Sequence, residues 1–264
     1  MPSPHHGLFC WYDLVTTDLA ASIAFYTKLL GWEVKQVDTG THPYHMIHAG
    51  ERPVGGMVQH DPGEGHPTHW LPYIFSDDLA ASGEVAAQHG ATILFGPQDV
   101  GPGSFTMMRD PQGAHFCLWH SKDDAPADPP KGTPGVFCWN ECMTTDAAKA
   151  ADFYAKLFGW NIGTADIPVG DCEVPYHFFE LNGVHHGGIM DLPDEARAHG
   201  APPYWLSYVT VPDVDAAQAT AAELGATIIM PPTDIPHTGR FSVIQDPQGG
   251  VLSLFTYAPE MLQG

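Results

Sequence analysis

The chain has 264 residues, a net charge of −21 and only ten Lys and Arg residues. This is long enough for two domains with a core each. The scarcity of basic side chains excludes nucleic acid and anionic membrane surfaces as partners, because both are held by basic patches.

Residues 1–7 read as a loose leader. Phe9-Cys10-Trp11-Tyr12-Asp13-Leu14-Val15 alternates in character and suits a strand at about 8–16 with two different faces. Thr-Thr-Asp follows, and Asp18 is placed to cap a helix over 18–30 that carries Leu19, Ile23, Tyr26 and Leu30 inward and stops at Gly31. Strands near 32–37, 43–49 and 52–59 complete the first module. A loop at 60–68, rich in Gly, Pro and His, leads to a second module. Its elements are a strand at 69–76, a helix at 78–89 and strands near 91–95, 103–108 and 114–119, with Asp110-Pro111-Gln112-Gly113 as a tight turn. Residues 121–134 are polar and proline-rich and serve as a linker.

The remainder repeats what came before. Phe9–Trp32 returns as Phe137–Trp160, and Pro43-Tyr44-His45 as Pro175-Tyr176-His177. Gly55-Gly56-Met57 returns as Gly187-Gly188-Ile189, Trp70-Leu71 as Trp205-Leu206, and Asp110-Pro111-Gln112-Gly113 as Asp246-Pro247-Gln248-Gly249. A self-match of this length is the first feature to interpret in any chain. The expected architecture is α+β, with four βαβββ modules paired into two domains at 1–120 and 135–264. No basic-then-apolar opening segment and no long apolar run is present. The five cysteines are odd in number and lack metal-type spacing, and Cys10 and Cys138 occupy equivalent strand positions where packing is expected. These features predict a cytoplasmic protein without disulfides.

The strand–"TTD"–helix–"FY..L.GW" unit, the glycine pair, "LGAT" and "DPQG" together resemble the vicinal oxygen chelate superfamily. That group includes glyoxalase I, extradiol dioxygenases and bleomycin-binding proteins, and the chain is most similar to its tandem glyoxalase-like members. The resemblance implies that each domain curls its sheet into a cup, with helices outside and the ligand or metal inside. It also implies where two His and one Glu would hold a divalent ion with open positions for substrate oxygens. Those positions carry Trp11, Leu71 and Cys117 in the first domain and Trp139, Leu206 and Ser253 in the second. The usual triad is missing from both.

Strand alternation instead puts Trp11, Asp13 and Val15 on one face, and Trp139, Glu141 and Met143 on its counterpart. Tyr73 and Tyr208 add a phenol to each cup, and His115 and Cys117 share a face of the last strand of the first domain. Aromatic walls around a few polar groups are the usual make-up of a small-molecule site. A carboxylate beside a Trp can work as an acid or base, or pair with a cation. Asp13 and Glu141 are therefore the candidate catalytic residues. Trp11, Tyr73, His115, Cys117, Trp139, Tyr208, Arg240 and Ser253 are the candidate ligand contacts. Arg240, which replaces Ser104 of the first domain, could pair with an acid within the sheet or bind an anionic ligand. No metal or other cofactor is expected; were a metal used, its ligands would be His69, His115 and Asp13. His42, His45 and His48 alternate in facing, and His60 and His66 belong to a loop.

Two functions follow. One is a protein that binds a small apolar or aromatic molecule without metal, as a monomer or homodimer. The other is an enzyme: a metal-dependent lyase or dioxygenase with relocated ligands, or a metal-free acid–base catalyst using Glu141 or Asp13.

Overall fold

The computed structural model describes residues 2–38, 43–61, 63, 67–123, 129–169, 172–198 and 200–262; His42 and His66 lie outside them. The first half forms β1 (Phe9–Thr16), α1 (Leu19–Leu30), β2 (Glu33–Asp38), β3 (Pro43–Ala49), β4 (Arg52–Gln59), β5 (His69–Phe75), α2 (Leu79–Gln88), β6 (Thr92–Asp99), β7 (Gly103–Arg109) and β8 (His115–Ser121). The second half forms β9 (Phe137–Thr144), α3 (Ala147–Phe158), β10 (Asn161–Val169), β11 (Cys172–Leu181), β12 (Val184–Asp191), α4 (Asp194–Ala198), β13 (Tyr204–Thr210), α5 (Val214–Glu223), β14 (Thr227–Ile235), β15 (Gly239–Gln245) and β16 (Val251–Tyr257). Each half is one eight-stranded sheet, ordered β2-β3-β4-β1-β5-β8-β7-β6 and β10-β11-β12-β9-β13-β16-β15-β14. The fold is thus the α+β, four-module architecture that the repeat implies. The short helix α4 interrupts the β12–β13 connection and was not anticipated.

Local chemistry accounts for the repeated unit. The Asp18 carboxylate accepts the Ala21 amide at 3.0 Å and Asp146 accepts that of Lys149 at 3.1 Å, so each helix begins where its free amides find an acceptor. Gly31 and Gly159 end the helices with φ of 68° and 72°.

The convex faces pack against one another, and they do so crosswise. Tyr12, Leu14, Phe25, Tyr26 and Trp32 of the first module share a core with Val209, Val214, Ala221, Ile244 and Leu252 of the fourth. Ile74, Ala86, Phe116 and Leu118 of the second module share one with Tyr154, Phe158, Trp160 and Phe179 of the third. The motifs at this boundary are matched reciprocally. Tyr26 donates to Asp246 Oδ2 at 2.8 Å, and Tyr154 donates to Asp110 Oδ2 at 3.0 Å. Trp70 Nε1 donates to the Tyr26 hydroxyl and Trp205 Nε1 to that of Tyr154. Trp32 Nε1 reaches the Gly135 carbonyl at 2.8 Å and Trp160 Nε1 reaches that of Gly7 at 3.0 Å.

The leader is therefore not loose. Gly7 bonds Phe75 through its amide and Trp160 through its carbonyl, and the Ser3 amide donates to Asp77. The five cysteines are all free: Cys10 is exposed, Cys138 half-buried and Cys142 buried. Among the described residues no helix is long and apolar enough to cross a membrane.

Candidate functional site

With the convex faces buried between the domains, Trp11 and Asp13 of β1 face the opposite, concave side. They are joined there by Leu71, Tyr73, Cys117, Phe105, Met107 and Trp119. In the second sheet Trp139 and Glu141 face a concave cluster of Met143, Leu192, Leu206, Tyr208, Phe241, Val243 and Phe255. Asp13 is 6% exposed and Glu141 8%, so both carboxyl groups are buried. Such a group must find hydrogen bonds or lose its charge.

Each finds them in an aromatic network. Tyr176 donates to Glu141 Oε1 at 2.7 Å and Tyr208 to Oε2 at 2.9 Å, while Trp139 Nε1 donates to the Tyr176 hydroxyl at 2.9 Å. In the first cup Tyr44 donates to Asp13 Oδ1 at 2.6 Å and Tyr73 to Oδ2 at 2.8 Å. Trp11 Nε1 lies 2.7 Å from the Tyr44 hydroxyl and 3.1 Å from Asp13 Oδ1, so it serves both. The order of donation follows from the indole, which only donates. It occupies a lone pair of the first tyrosine, whose proton then points at the carboxylate.

Tyr44 and Tyr176 are the site residues that strand alternation missed. They stand on β3 and β11, separated from the acid by β4 and β12. The intervening strand places Gly56 directly beside Asp13 and Gly188 directly beside Glu141. A Cβ on Gly56 would overlap the Tyr44 hydroxyl, and one on Gly188 the Tyr176 ring. The second glycine of each pair thus opens the space through which a tyrosine crosses to the acid. The joint recurrence of Pro-Tyr-His and Gly-Gly was the available signal.

Burial pushes the carboxyl groups of Asp13 and Glu141 up from the usual range, and the tyrosine hydrogen bonds pull them partly back. The tyrosines are driven well above the ordinary phenol value by burial first and by the neighbouring acid second. They are neutral donors. Tyr204, on the face of β13 that also carries Tyr208, is pushed up to about 12 for the same two reasons. Burial holds the Cys117 thiol well above its usual value, which keeps it protonated and a poor nucleophile.

The other expected contacts are distributed as follows. His69 and His115 both border the first cup, with ring centroids 6.3 Å apart, and His69 Nδ1 lies 2.8 Å from the Pro67 carbonyl. Ser253 is buried and its hydroxyl lies 3.3 Å from the Ser242 carbonyl. Arg240 alternates with the concave residues Phe241 and Val243 and so faces outward. There it bonds Asp215 of α5 and Asp234 of β14, each at 2.7 Å. The structure does not bring it to Glu141. A hollow of about 530 Å³ opens between Asp234, His237, Arg240 and Tyr257, and Glu141 and its tyrosines do not line it.

The donor set bears on metal binding. The cup positions implied for a triad hold an indole, an apolar chain and a thiol or hydroxyl, and the carboxylates of Asp13 and Glu141 are engaged by neutral phenols. Among the described residues no three His, Cys, Asp or Glu side chains converge as ligands would, and His69, His115 and Asp13 are no exception. These residues do not fit a facial triad.

Two repeated units, each a curled eight-stranded sheet, set the class of protein. The chain belongs to the Glyoxalase/Bleomycin resistance protein/Dioxygenase superfamily, which residues 8–118 and 140–254 match. CFP32 of Mycobacterium tuberculosis, provisionally named a glyoxylase, is 33% identical over 255 residues, 95% of each chain. The anthracycline biosynthesis protein DauV of a Streptomyces species is 30% identical over 263 residues, 94% of this chain and 92% of DauV. Two solved structures share the fold. The Mn(II)-bound glyoxalase of Novosphingobium aromaticivorans superposes with a TM-score of 0.63 at 17% identity, covering 97% of this chain and 83% of that one. The 2,3-dioxygenase LapB of a Pseudomonas species superposes with a TM-score of 0.65 at 14% identity, covering 96% and 93%.

Proposed function

We propose that the protein binds a small aromatic molecule in its sheet cups without the metal triad, and that the second cup is the principal site. The observation that carries this reading is the Trp139–Tyr176–Glu141–Tyr208 network, a buried polar anchor set among apolar side chains and rings on the concave face. Apolar walls supply affinity for a flat molecule, and the anchor fixes the orientation of one polar group. The similarity to DauV, whose name places it in anthracycline biosynthesis, supports a small-molecule ligand.

A second reading is metal-free acid–base catalysis by Glu141. The observation that favours it is the burial of Glu141 between two phenols, which raises its carboxyl toward the range of a working acid or base. The two readings separate on Glu141→Gln: a binding protein loses affinity, whereas an enzyme loses turnover at saturating ligand. Elemental analysis after mild chelation is the first measurement. About one equivalent of a single transition metal per chain would overturn the metal-free reading.

A further inference from the structure

We infer that the second cup selects aromatic molecules carrying a protonated amine, with Glu141 as the counter-ion. The inference rests on reading this cup as a ligand site and adds the charge of what it takes. Glu141 is buried, and its side-chain partners among the described residues are the neutral phenols of Tyr176 and Tyr208. A carboxylate offers about four lone-pair directions, and the two tyrosines occupy one on each oxygen. Trp139, Tyr204, Tyr208 and Phe241 stand on the same concave side of the sheet.

The charges around it point the same way. Among the described residues, Arg240 is the one Lys or Arg on the strands of the second sheet. Two further basic side chains among the described residues contact members of the concave cluster, one at a backbone carbonyl and one at a ring. Arg197 of α4 reaches the Leu192 carbonyl at 3.5 Å, and Lys131 lies over the Tyr257 ring at 5.8 Å from its centre. Arg240 is on the convex face between two aspartates. An anionic ligand would therefore meet an uncompensated buried acid, and a neutral one would leave that acid unpaired. A cation satisfies the acid and is also attracted to the faces of the rings, which act on cations together with the carboxylate. The net charge of −21 raises the local concentration of cations at the surface before docking.

The first cup differs in its acid and in its nearby charge. Asp13 accepts three bonds instead of two, and Lys35, paired with Glu33 at 3.2 Å, stands on β2 where the second domain has Gly163.

The test compares three probes of one shape by calorimetry near neutral pH: naphthylmethylamine, naphthalenemethanol and naphthoate. The amine is expected to bind about tenfold or more tighter than the alcohol, with the carboxylate weakest. In Glu141→Gln, confirmed folded by thermal melting, that preference should fall to about threefold or less. Should this variant fail to fold, the wild-type ranking alone decides. Alcohol binding as tight as the amine's would overturn the charge selection and leave the aromatic-cup reading intact. Binding of naphthoate best would also overturn it. No binding of any probe to folded protein would overturn both.

Discussion

The two cups began as copies and still share a plan, yet their acids are held differently. Asp13 is the shorter acid and is enclosed: Trp11, Tyr44 and Tyr73 all donate to it. Glu141 is one methylene longer and accepts from two tyrosines only, because Trp139 serves Tyr176 and not the acid. The neighbours differ in step. His69, His115 and Cys117 of the first cup are matched by Tyr204, Val251 and Ser253 of the second. The second sheet also curls until its edge strands β10 and β14 meet, and Leu192 and Ala196 of the α4 segment pack into its cup cluster. On the reading proposed above, the enclosed Asp13 is a finished piece of structure and the less enclosed Glu141 is the receptive group.

The largest effects should fall where the halves are alike. Trp32→Ala and Trp160→Ala each remove a buried ring and its bond to a glycine carbonyl, and each should cost about 3–5 kcal/mol in urea unfolding. A large inequality between them would show that the reciprocal packing is not energetically reciprocal. Next come Gly56→Ala and Gly188→Ala, each of which forces a methyl into its tyrosine at a cost of about 1–3 kcal/mol. The stability losses should match. Amine binding should fall about tenfold or more in Gly188→Ala and by much less in Gly56→Ala, measured by calorimetry. A reversed pattern would move the working site to the first cup.

Asp13→Asn and Glu141→Gln should split in the opposite sense for stability. The enclosed Asp13 has no room to turn an amide away from its three donors, so the loss should be about 1–3 kcal/mol. Glu141→Gln should cost about 1 kcal/mol or less, with its main effect on binding.

The smallest effect is on pH dependence. Burial raises the carboxyl groups of Asp13, Glu141, Asp110 and Asp246. An acid raised in the folded state favours folding below its unfolded value, and that contribution is lost as pH rises through the folded value. Melting temperature should therefore increase as pH drops from about 8 to about 5. It should decline again below about 4, as the lowered acids Asp99, Asp146 and Asp215 are protonated. Glu141→Gln should flatten part of the rise, and an unchanged profile would show that Glu141 is not displaced.

Much of this was legible in the sequence, for a physical reason. A duplicated chain reports its own constraints twice, so Trp11 with Asp13 and Trp139 with Glu141 could be placed on one face from alternation alone. Tyr73 and Tyr208 followed, because the partner strand lies directly beside. Tyr44 and Tyr176 did not, since their reach depends on an intervening strand having no side chain at Gly56 and Gly188. Arg240 illustrates the opposite limit. Its charge invited a role inside the cup, but its facing is set by alternation with Phe241, and its partners lie on α5 and β14. The anchoring of Gly7 could not be foreseen, because the tryptophan that holds it belongs to the other half of the chain.

That cross-anchoring has a consequence for assembly. The contacts of Asp110 with Tyr154 and of Asp246 with Tyr26 run between halves and never within one, so each half carries both a lock and the key for its counterpart. Of the peptide joining β8 to β9, Gly135 takes part in the boundary by accepting the Trp32 indole N–H. The stretch before it acts through the effective concentration at which the halves meet. Cut within that segment, the chain should persist as a non-covalent pair, and a permuted chain that begins at β9 and ends at β8 should close the same boundary.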